Sequence, residues 1–216
     1  IPGLYDSVEL ILSGAPFLRN VQTVPDPGTK SVRVVAEVVA GAQPVEFILR
    51  AEVVAAKSRV PAGAATSASA RLAAGEVKVL DFVIPLAEAR VWSPEDPFLY
   101  ELRLATGSDA ASVRFGLRSF RFDPVTRRPF LNGQPYYLRG SNITIDRFYE
   151  DAARGELPWD AVWVRQLHRQ IKAMNWNSLR YCIGFPPEFW YDIADEEGIL
   201  IQDEFPIWVL NGGLQC

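Results

Sequence analysis

The sequence has 216 residues, of which 49% are hydrophobic and 22% are charged, and its formal net charge is −4. This composition is typical of a globular protein with a substantial core, and the length suits one large domain or two small ones. The slight acidity, with no Lys/Arg cluster, argues against nucleic acid and anionic membrane surfaces as partners. No apolar run is long enough to span a bilayer.

Residues that often carry chemistry are scarce. The two cysteines are Cys182 and Cys216, and the single histidine is His168. We expect two free thiols, no zinc site, no metal and no cofactor. A Ser-His-Asp or Cys-His mechanism would need His168 from the middle of a helix, whereas a lone helix histidine is more often surface or half-buried. The start of the sequence shows no initiator Met and no signal-peptide pattern, so we expect a mature form or an excised piece; a periplasmic or secreted location stays open.

The first half of the chain alternates between apolar and polar residues and carries repeated turn signals. The predicted strands are residues 7–12, 17–23, 31–39, 45–54, 76–84, 98–104 and 111–122. Residues 61–70 are small and predict a loop with an edge strand. Because no helical period interrupts this pattern, it predicts an antiparallel β-sandwich of immunoglobulin-like type.

The composition changes near residue 122, since five of the six tryptophans follow it. Residues 136–140 predict the first strand of this part, after an Asn-Gly hairpin. Residues 159–174 have the apolar spacing of an amphipathic helix. A strand at 176–181, a short acidic helix and a strand at 199–202 complete a βαβ pattern typical of a parallel sheet.

Six segments resemble, in order, the motifs of glycoside hydrolase family 2, the family of β-galactosidases, β-glucuronidases and β-mannosidases. They read GLYDSVEL at 3–10, WSPEDPFLY at 92–100, FGLR at 115–118, FLNGQP and LRGSN within 130–142, NSLR at 177–180, and DEEGIL and DE within 195–204. Each motif alone is weak, but six in the correct order are specific.

The resemblance implies an immunoglobulin-like β-sandwich followed by the first part, about three βα units, of a (β/α)8 barrel. Residues 1–12 would be the last strand of a jelly-roll domain, 13–122 the sandwich and 123–216 the partial barrel. The activity implied is that of a retaining exo-β-glycosidase, which uses two carboxyl groups on a carbohydrate substrate. Both catalytic Glu residues are expected beyond Cys216, so no catalytic residue is assigned here and the chain alone is expected to be inactive. An incomplete barrel would also allow self-association.

The resemblance implies five substrate-binding residues. Arg180, at the end of a strand, would hydrogen-bond the nucleophile carboxylate and help keep it ionised. Asn142 and Asp146 follow the first barrel strand, where polar groups bind sugar hydroxyls. Asp203 ends the third strand, and Trp208 beyond it would stack on a sugar ring. The alternatives without substrate contact are a structural ion pair for Arg180 and loop hydrogen bonds for Asn142 and Asp146.

Two departures from the family pattern concern the sugar. Thr144 and Ile183 stand where galactosidase and glucuronidase relatives carry histidines, so the sequence leans modestly toward the mannosidase-like branch. Glu204 is adjacent to Asp203, and because neighbours on a strand point to opposite faces, the two do not form one acid/base pair.

Two other readings remain open. The sandwich is alternatively a non-catalytic carbohydrate-binding or spacer module with the second half as its packing partner, or the chain is a sugar-binding pseudoenzyme completed by a partner chain. An unpaired edge on the strands of the second half would favour the incomplete barrel.

Overall fold

The computed structural model describes residues 7–67, 69–205, 208–210 and 213–215, and at 146, 149, 208–210 and 213–215 it describes the backbone alone. The described residues divide into two units. One comprises residues 9–136, and the other comprises residues 137 onward together with residues 7 and 8.

The unit of residues 9–136 is built from antiparallel strands. They are β1 (Phe17–Asp26), β2 (Ser31–Val39), β3 (Val45–Phe47), β4 (Arg50–Ala55), β5 (Pro61–Thr66), β6 (Ala70–Leu72), β7 (Val77–Pro85), β8 (Leu99–Ala105), β9 (Ala110–Gly116), β10 (Phe120–Phe122), β11 (Pro129–Leu131) and β12 (Gln134–Pro135). The main sheets have the orders β1–β2–β7 and β5–β4–β8–β9, with β3–β6 and β10–β11–β12 as smaller sheets.

The two main sheets share one apolar core. Every second residue of β2, from Val32 to Val38, is fully buried, and these side chains cluster with Val53 of β4 and Leu102 of β8. Alternation with a period of two is what lets one face of a strand enter the core. Each fully buried side chain of this kind contributes about 1.5–3 kcal/mol, so the alternation read from the sequence determines which faces meet.

Residues from three of the six motifs identified in the sequence pack around Trp92. Its ring is fully buried against Gly116, where an added Cβ would lie 2.9 Å from the Trp92 Cγ. The Arg118 guanidinium lies 4.3 Å above the Trp92 ring, and the Asn132 amide donates to the Trp92 carbonyl at 2.9 Å. The Gly of the FGLR segment is therefore required by the tryptophan, which leaves no room for a side chain.

Three predicted strands of this unit differ from the structure. Residues 7–12 form no strand: within the described chain no strand pairs with them, and their apolar side chains lie in solvent. The strand predicted at 45–54 is split, because β3 pairs with β6 whereas β4 pairs with β5 and β8. The strand predicted at 111–122 is likewise split into β9 and β10. The expected edge strand within 61–70 is confirmed as β5.

The second unit contains parallel strands alternating with helices. Its elements are β13 (Gly140–Thr144), α1 (Asp146–Tyr149), a 3-10 turn (Leu157–Trp159), α2 (Ala161–Ala173), β14 (Ser178–Cys182), α3 (Phe189–Glu197), β15 (Leu200–Asp203), β16 (Trp208–Leu210) and β17 (Gly213–Gln215). Strands β13, β14 and β15 form a parallel sheet in that order, which confirms the βαβ prediction, and β16 pairs with β17. None of the described helices has the length and hydropathy needed to cross a membrane.

Asn177 connects all three parallel strands. Its buried side-chain amide accepts from the Arg139 N–H at 2.8 Å and donates to the Tyr137 carbonyl at 2.9 Å. Its backbone N–H donates to the Arg139 carbonyl, and its carbonyl accepts from the Leu200 N–H, both at 2.9 Å. The side chain thus bonds two backbone groups that would otherwise be available for strand pairing, so the strand predicted at 136–140 is wrong and pairing begins at Gly140.

Gly140 lies where β13 and β14 approach most closely. A Cβ at this position would lie 1.8 Å from the Ser178 carbonyl oxygen, a distance that no side chain can occupy. The glycine of the LRGSN segment is therefore a packing requirement for the parallel pair.

Helices α2 and α3 cover one face of the parallel sheet. Asp160 caps α2, its carboxylate accepting from the Val162 N–H at 2.8 Å. Val164 and Ile171 of α2 cluster with Leu179 of β14 in a buried core. The helix predicted at 159–174 is confirmed as α2, with its first residues in the 3-10 turn.

His168 lies in this core and is fully buried, whereas the sequence suggested a surface or half-buried position. Its Nδ1 lies 2.8 Å from the Val164 carbonyl oxygen, which can only accept, so Nδ1 carries the hydrogen. Its Nε2 then accepts from the Tyr181 hydroxyl at 3.2 Å. Burial lowers the pKa of His168 from its ordinary value and raises that of Tyr181, so both side chains are neutral.

Replacing Gly140 by alanine is expected to break the pairing of β13 with β14 and to destabilise the second unit by about 3 kcal/mol, because overpacking a backbone contact has no flexible side chain to absorb it. Urea unfolding followed by tryptophan fluorescence measures this. Gly155→Ala is the matched control, since a Cβ there would meet its nearest atom at 3.5 Å. Equal stability of the two variants would contradict the packing requirement.

The lowered pKa of His168 predicts a specific loss of stability in acid. The unfolded chain takes up a proton near pH 6.5 while the folded chain keeps His168 neutral, so the free energy of unfolding falls as the pH drops below about 6.5. The slope is at most about 1.4 kcal/mol per pH unit for one proton. His168→Gln, which removes the only histidine, is expected to be less stable at pH 7.5 but to lack this fall. Urea unfolding between pH 5.5 and 7.5 checks it, and an unchanged slope in the variant would refute the assignment.

Candidate functional site

A row of polar residues crosses the parallel sheet on the face away from the helices. Asn142, Arg180 and Gln202 are direct register partners on β13, β14 and β15. Leu179 and Tyr181, which flank Arg180, belong to the buried helix-side core. Because side chains alternate along a strand, the row points to the opposite face, and neighbouring strands place its members about 5 Å apart.

Arg180 is held in this row by an ion pair. Its Nη2 lies 2.7 Å from the Glu204 Oε2, with 41% and 31% of the two side chains exposed. Glu204 follows β15 directly and has the same face parity as Gln202, two residues before it. The Glu204 backbone N–H donates to the Tyr181 carbonyl at 3.1 Å, which continues the contact between the two strands past their last register pair.

Several donors converge on the Glu204 carboxylate. Hydrogen bonding from the Cys182 thiol, which is free and buried, lowers the pKa of Glu204, and the Ile183 N–H and the Arg180 charge lower it further. The Ile183 N–H donates to Oε2 at 3.1 Å. Glu204 is therefore a stable carboxylate and cannot serve as a proton-donating general acid near neutral pH. The other cysteine, Cys216, lies outside the described residues.

The chain leaves β14 through a strained turn. Ile183 has φ 58° and Gly184 has φ 135°. The left-handed region is unfavourable for a β-branched residue, and such outliers persist where surrounding contacts hold them. Here the contact is the hydrogen bond from Ile183 to Glu204.

The five predicted substrate-binding residues are distributed unevenly. Arg180 and Asn142 share the polar face, as the sequence suggested. Asp203 lies on the other face, where its Oδ1 accepts from the Tyr191 hydroxyl of α3 at 2.7 Å. The structure does not bring Asp203 together with Arg180 and Asn142. The side chains of Asp146 and Trp208 lie outside the described part of the structure; by backbone they begin α1 and β16.

Two residues of this face, Gln202 and Glu204, are not among the five predicted substrate-binding residues, although the sequence allowed one of the adjacent carboxylates, Asp203 or Glu204, to pair with an arginine. The signal was present, because a parallel register that pairs Arg180 with Gln202 puts Glu204, and not Asp203, on the same face. The missing information was the register itself. Amide and guanidinium groups in one row provide several hydrogen-bond donors and acceptors, which suits hydroxyl-rich ligands.

The family described as Glycosyl hydrolases family 2 matches residues 17–118, which cover β1 to β9 of the first unit. The segment that carries the row of Asn142, Arg180 and Gln202 lies outside this match.

Curated relatives and a solved structure extend the similarity. A putative β-glucuronidase of Formosa agariphila is 28% identical over 122 residues, covering 53% of this chain and 11% of the relative. An exo-β-D-glucosaminidase of Hypocrea virens is 25% identical over 187 residues, covering 79% of this chain and 20% of the relative. A solved β-glucuronidase of Faecalibacterium prausnitzii has a TM-score of 0.67 and 26% identity, covering 88% of this chain and 28% of that one. The chain thus spans at most about a fifth of the length of these curated relatives.

Proposed function

Because this chain belongs to glycosyl hydrolase family 2, we propose that it forms part of a retaining exo-β-glycosidase acting on terminal β-linked sugars of oligosaccharides, polysaccharides or glycoconjugates. In this proposal the first unit contains an immunoglobulin-like sandwich and the parallel strands are the first three of a (β/α)8 barrel. The domain limits 1–12, 13–122 and 123–216 remain predictions.

The observation that carries the proposal is the polar row at β13, β14 and β15. The row lies at the third residue of each strand, and Glu204, which follows β15, extends the same face toward the carboxyl ends, where parallel α/β folds place their ligands. Arg180, paired with Glu204, lies on the face it shares with Asn142 and Gln202. These groups would bind sugar hydroxyls, and Arg180 would also hydrogen-bond the nucleophile carboxylate. Asp146, Asp203 and Trp208 stay predicted substrate contacts.

The described face does not supply the reaction's pair of carboxyl groups. A retaining mechanism places two about 5–5.5 Å apart on either side of the scissile bond. Glu204 is engaged by Arg180, and Asp203 lies on the other face with Tyr191. We therefore propose that residues 1–216 alone bind sugar without hydrolysing glycosides.

The sandwich offers a second candidate function, carbohydrate binding without catalysis. The outer face of β5–β4–β8–β9 has a groove of about 670 Å³, with small residues such as Ala64 and Ser112 between charged ones such as Arg50, Glu52 and Arg103. A hydroxyl-rich polymer would find donors and acceptors there. This reading favours binding that is independent of Arg180.

Turnover assays separate these functions. The complete reading frame that encodes residues 1–216 is expected to hydrolyse at least one p-nitrophenyl β-glycoside among the glucuronide, galactoside, mannoside and glucosaminide. Arg180→Ala is expected to lower kcat/KM by about 100-fold, the scale for losing one group that stabilises charge at the reacting centre. Arg33→Ala, an exposed arginine of β2 outside the groove described above, is the control and should change it less than twofold.

Three outcomes would contradict the proposal. Turnover by residues 1–216 alone that disappears in Arg180→Ala would contradict the inactivity of this piece. Absence of turnover from the complete reading frame would contradict the glycosidase assignment. Polysaccharide binding that survives Arg180→Ala but is lost in Arg50→Ala would favour the sandwich module.

We further propose that residues 1–216 self-associate through the parallel sheet. Among the described strands, β13 and β15 each pair on one side only. Unpaired strand edges are templates for pairing with another chain. Sedimentation equilibrium between about 1 and 100 µM is expected to show concentration-dependent dimers, and a monomer throughout this range would rule the proposal out.

A further inference from the structure

Glu204 links the ends of β14 and β15 one residue beyond their last register pair. The last register pair of β14 and β15 is Tyr181 with Asp203. One residue later, Glu204 receives the Arg180 guanidinium at 2.7 Å and the Ile183 N–H at 3.1 Å. A single carboxylate thus holds both a side chain of β14 and the backbone of the turn that follows it.

The backbone conformation of the turn after β14 explains why this link is needed. Ile183 occupies the left-handed region at φ 58°, and Gly184 follows at φ 135°. This conformation is unfavourable for a β-branched residue and persists only where neighbouring contacts stabilise it. With the turn held, the C-terminal end of β14 stays in place and the base of the Arg180 side chain stays with it.

Arg180 itself would otherwise be free to move. Its side chain is 41% exposed, and an arginine on an open face samples many rotamers. The ion pair involves Nη2, and the Arg180 side chain lies on the face it shares with Asn142 and Gln202. Binding a ligand to an arginine that is already ordered avoids the entropy cost of ordering it.

We propose that Glu204 is a positioning residue of the sugar site: it orders Arg180 before substrate arrives, and it does not touch the substrate itself. This inference rests on the glycosidase function proposed above. It assigns Glu204 a role that works through Arg180, so its contribution must vanish when Arg180 is absent.

The first test observes Arg180 directly in residues 1–216. The Nε–Hε signal of Arg180 is identified in ¹H–¹⁵N NMR spectra by its disappearance in Arg180→Lys. In Glu204→Gln this signal is expected to shift and to exchange faster with water, because the charged partner is gone. Glu150→Gln removes an exposed ion pair with Arg147 in the same unit and is the matched control. An Arg180 signal unchanged by Glu204→Gln would refute the positioning role.

The second test is a double-mutant cycle on kcat/KM in the complete reading frame. Glu204→Gln is expected to lower kcat/KM about tenfold, the scale for ordering one flexible side chain. Glu204→Asp should recover part of that loss, since it restores the charge. In the Arg180→Ala background, Glu204→Gln should change kcat/KM less than twofold, because there is then no side chain to position.

The outcomes separate this inference from the proposed function. Additive losses in the cycle would mean that Glu204 acts without Arg180, which overturns the positioning role while the glycosidase stands. Unchanged kcat/KM in Glu204→Gln, with a shifted Arg180 signal, would overturn it as well. Absence of turnover in the wild-type reading frame would overturn the function, and the ion pair would then be structural. Circular dichroism of each variant separates these results from a failure to fold.

Discussion

The arrangement of the second unit depends on the amide of Asn177. Three parallel strands have no turn between them to set their register, since each connection passes through a helix. Asn177 supplies the missing constraint by hydrogen-bonding the chain before β13 with its side chain and the start of β15 with its carbonyl. A buried amide with satisfied partners is specific in a way that apolar packing is not. A shift of one residue in either strand would leave it unsatisfied and would separate Arg180 from Asn142 and Gln202.

Gly140 allows β13 and β14 to approach each other as closely as the hydrogen bonds of Asn177 require. The Ser178 carbonyl lies so close to Gly140 that only a residue without Cβ fits. The same relation recurs in the first unit, where Gly116 faces the ring of Trp92. In both places the contact joins two of the motifs read from the sequence. The glycines are therefore explained by what lies opposite them.

The sequence predicted elements well where one local period dominates. The alternation of β2 and the apolar spacing of α2 each follow from burial of a single face, so both were found near their observed limits. Prediction from the sequence failed where a contact with a distant residue determines the local structure. Residues 136–140 have the composition of a strand, but the Asn177 side chain bonds the Tyr137 carbonyl and the Arg139 N–H, and the strand begins at Gly140. Residues 7–12 likewise alternate, yet no described strand pairs with them, and a strand without a partner leaves its backbone groups to water.

The candidate site shows the same difference between residues that a local pattern reveals and residues whose role depends on a distant contact. Arg180 was found because a charged residue stands out among the apolar residues of a buried strand, whereas its partner Glu204, adjacent to Asp203, was not chosen as a substrate-binding residue. Their separation follows from the two environments of β14. On the helix side, burial keeps His168 and Tyr181 neutral, because a charge there would lose its hydration. On the other side water remains, and a guanidinium and a carboxylate coexist as ions 2.7 Å apart. Neighbouring residues of one short strand thus face opposite electrostatic conditions, and only the open face can present a cation to a ligand.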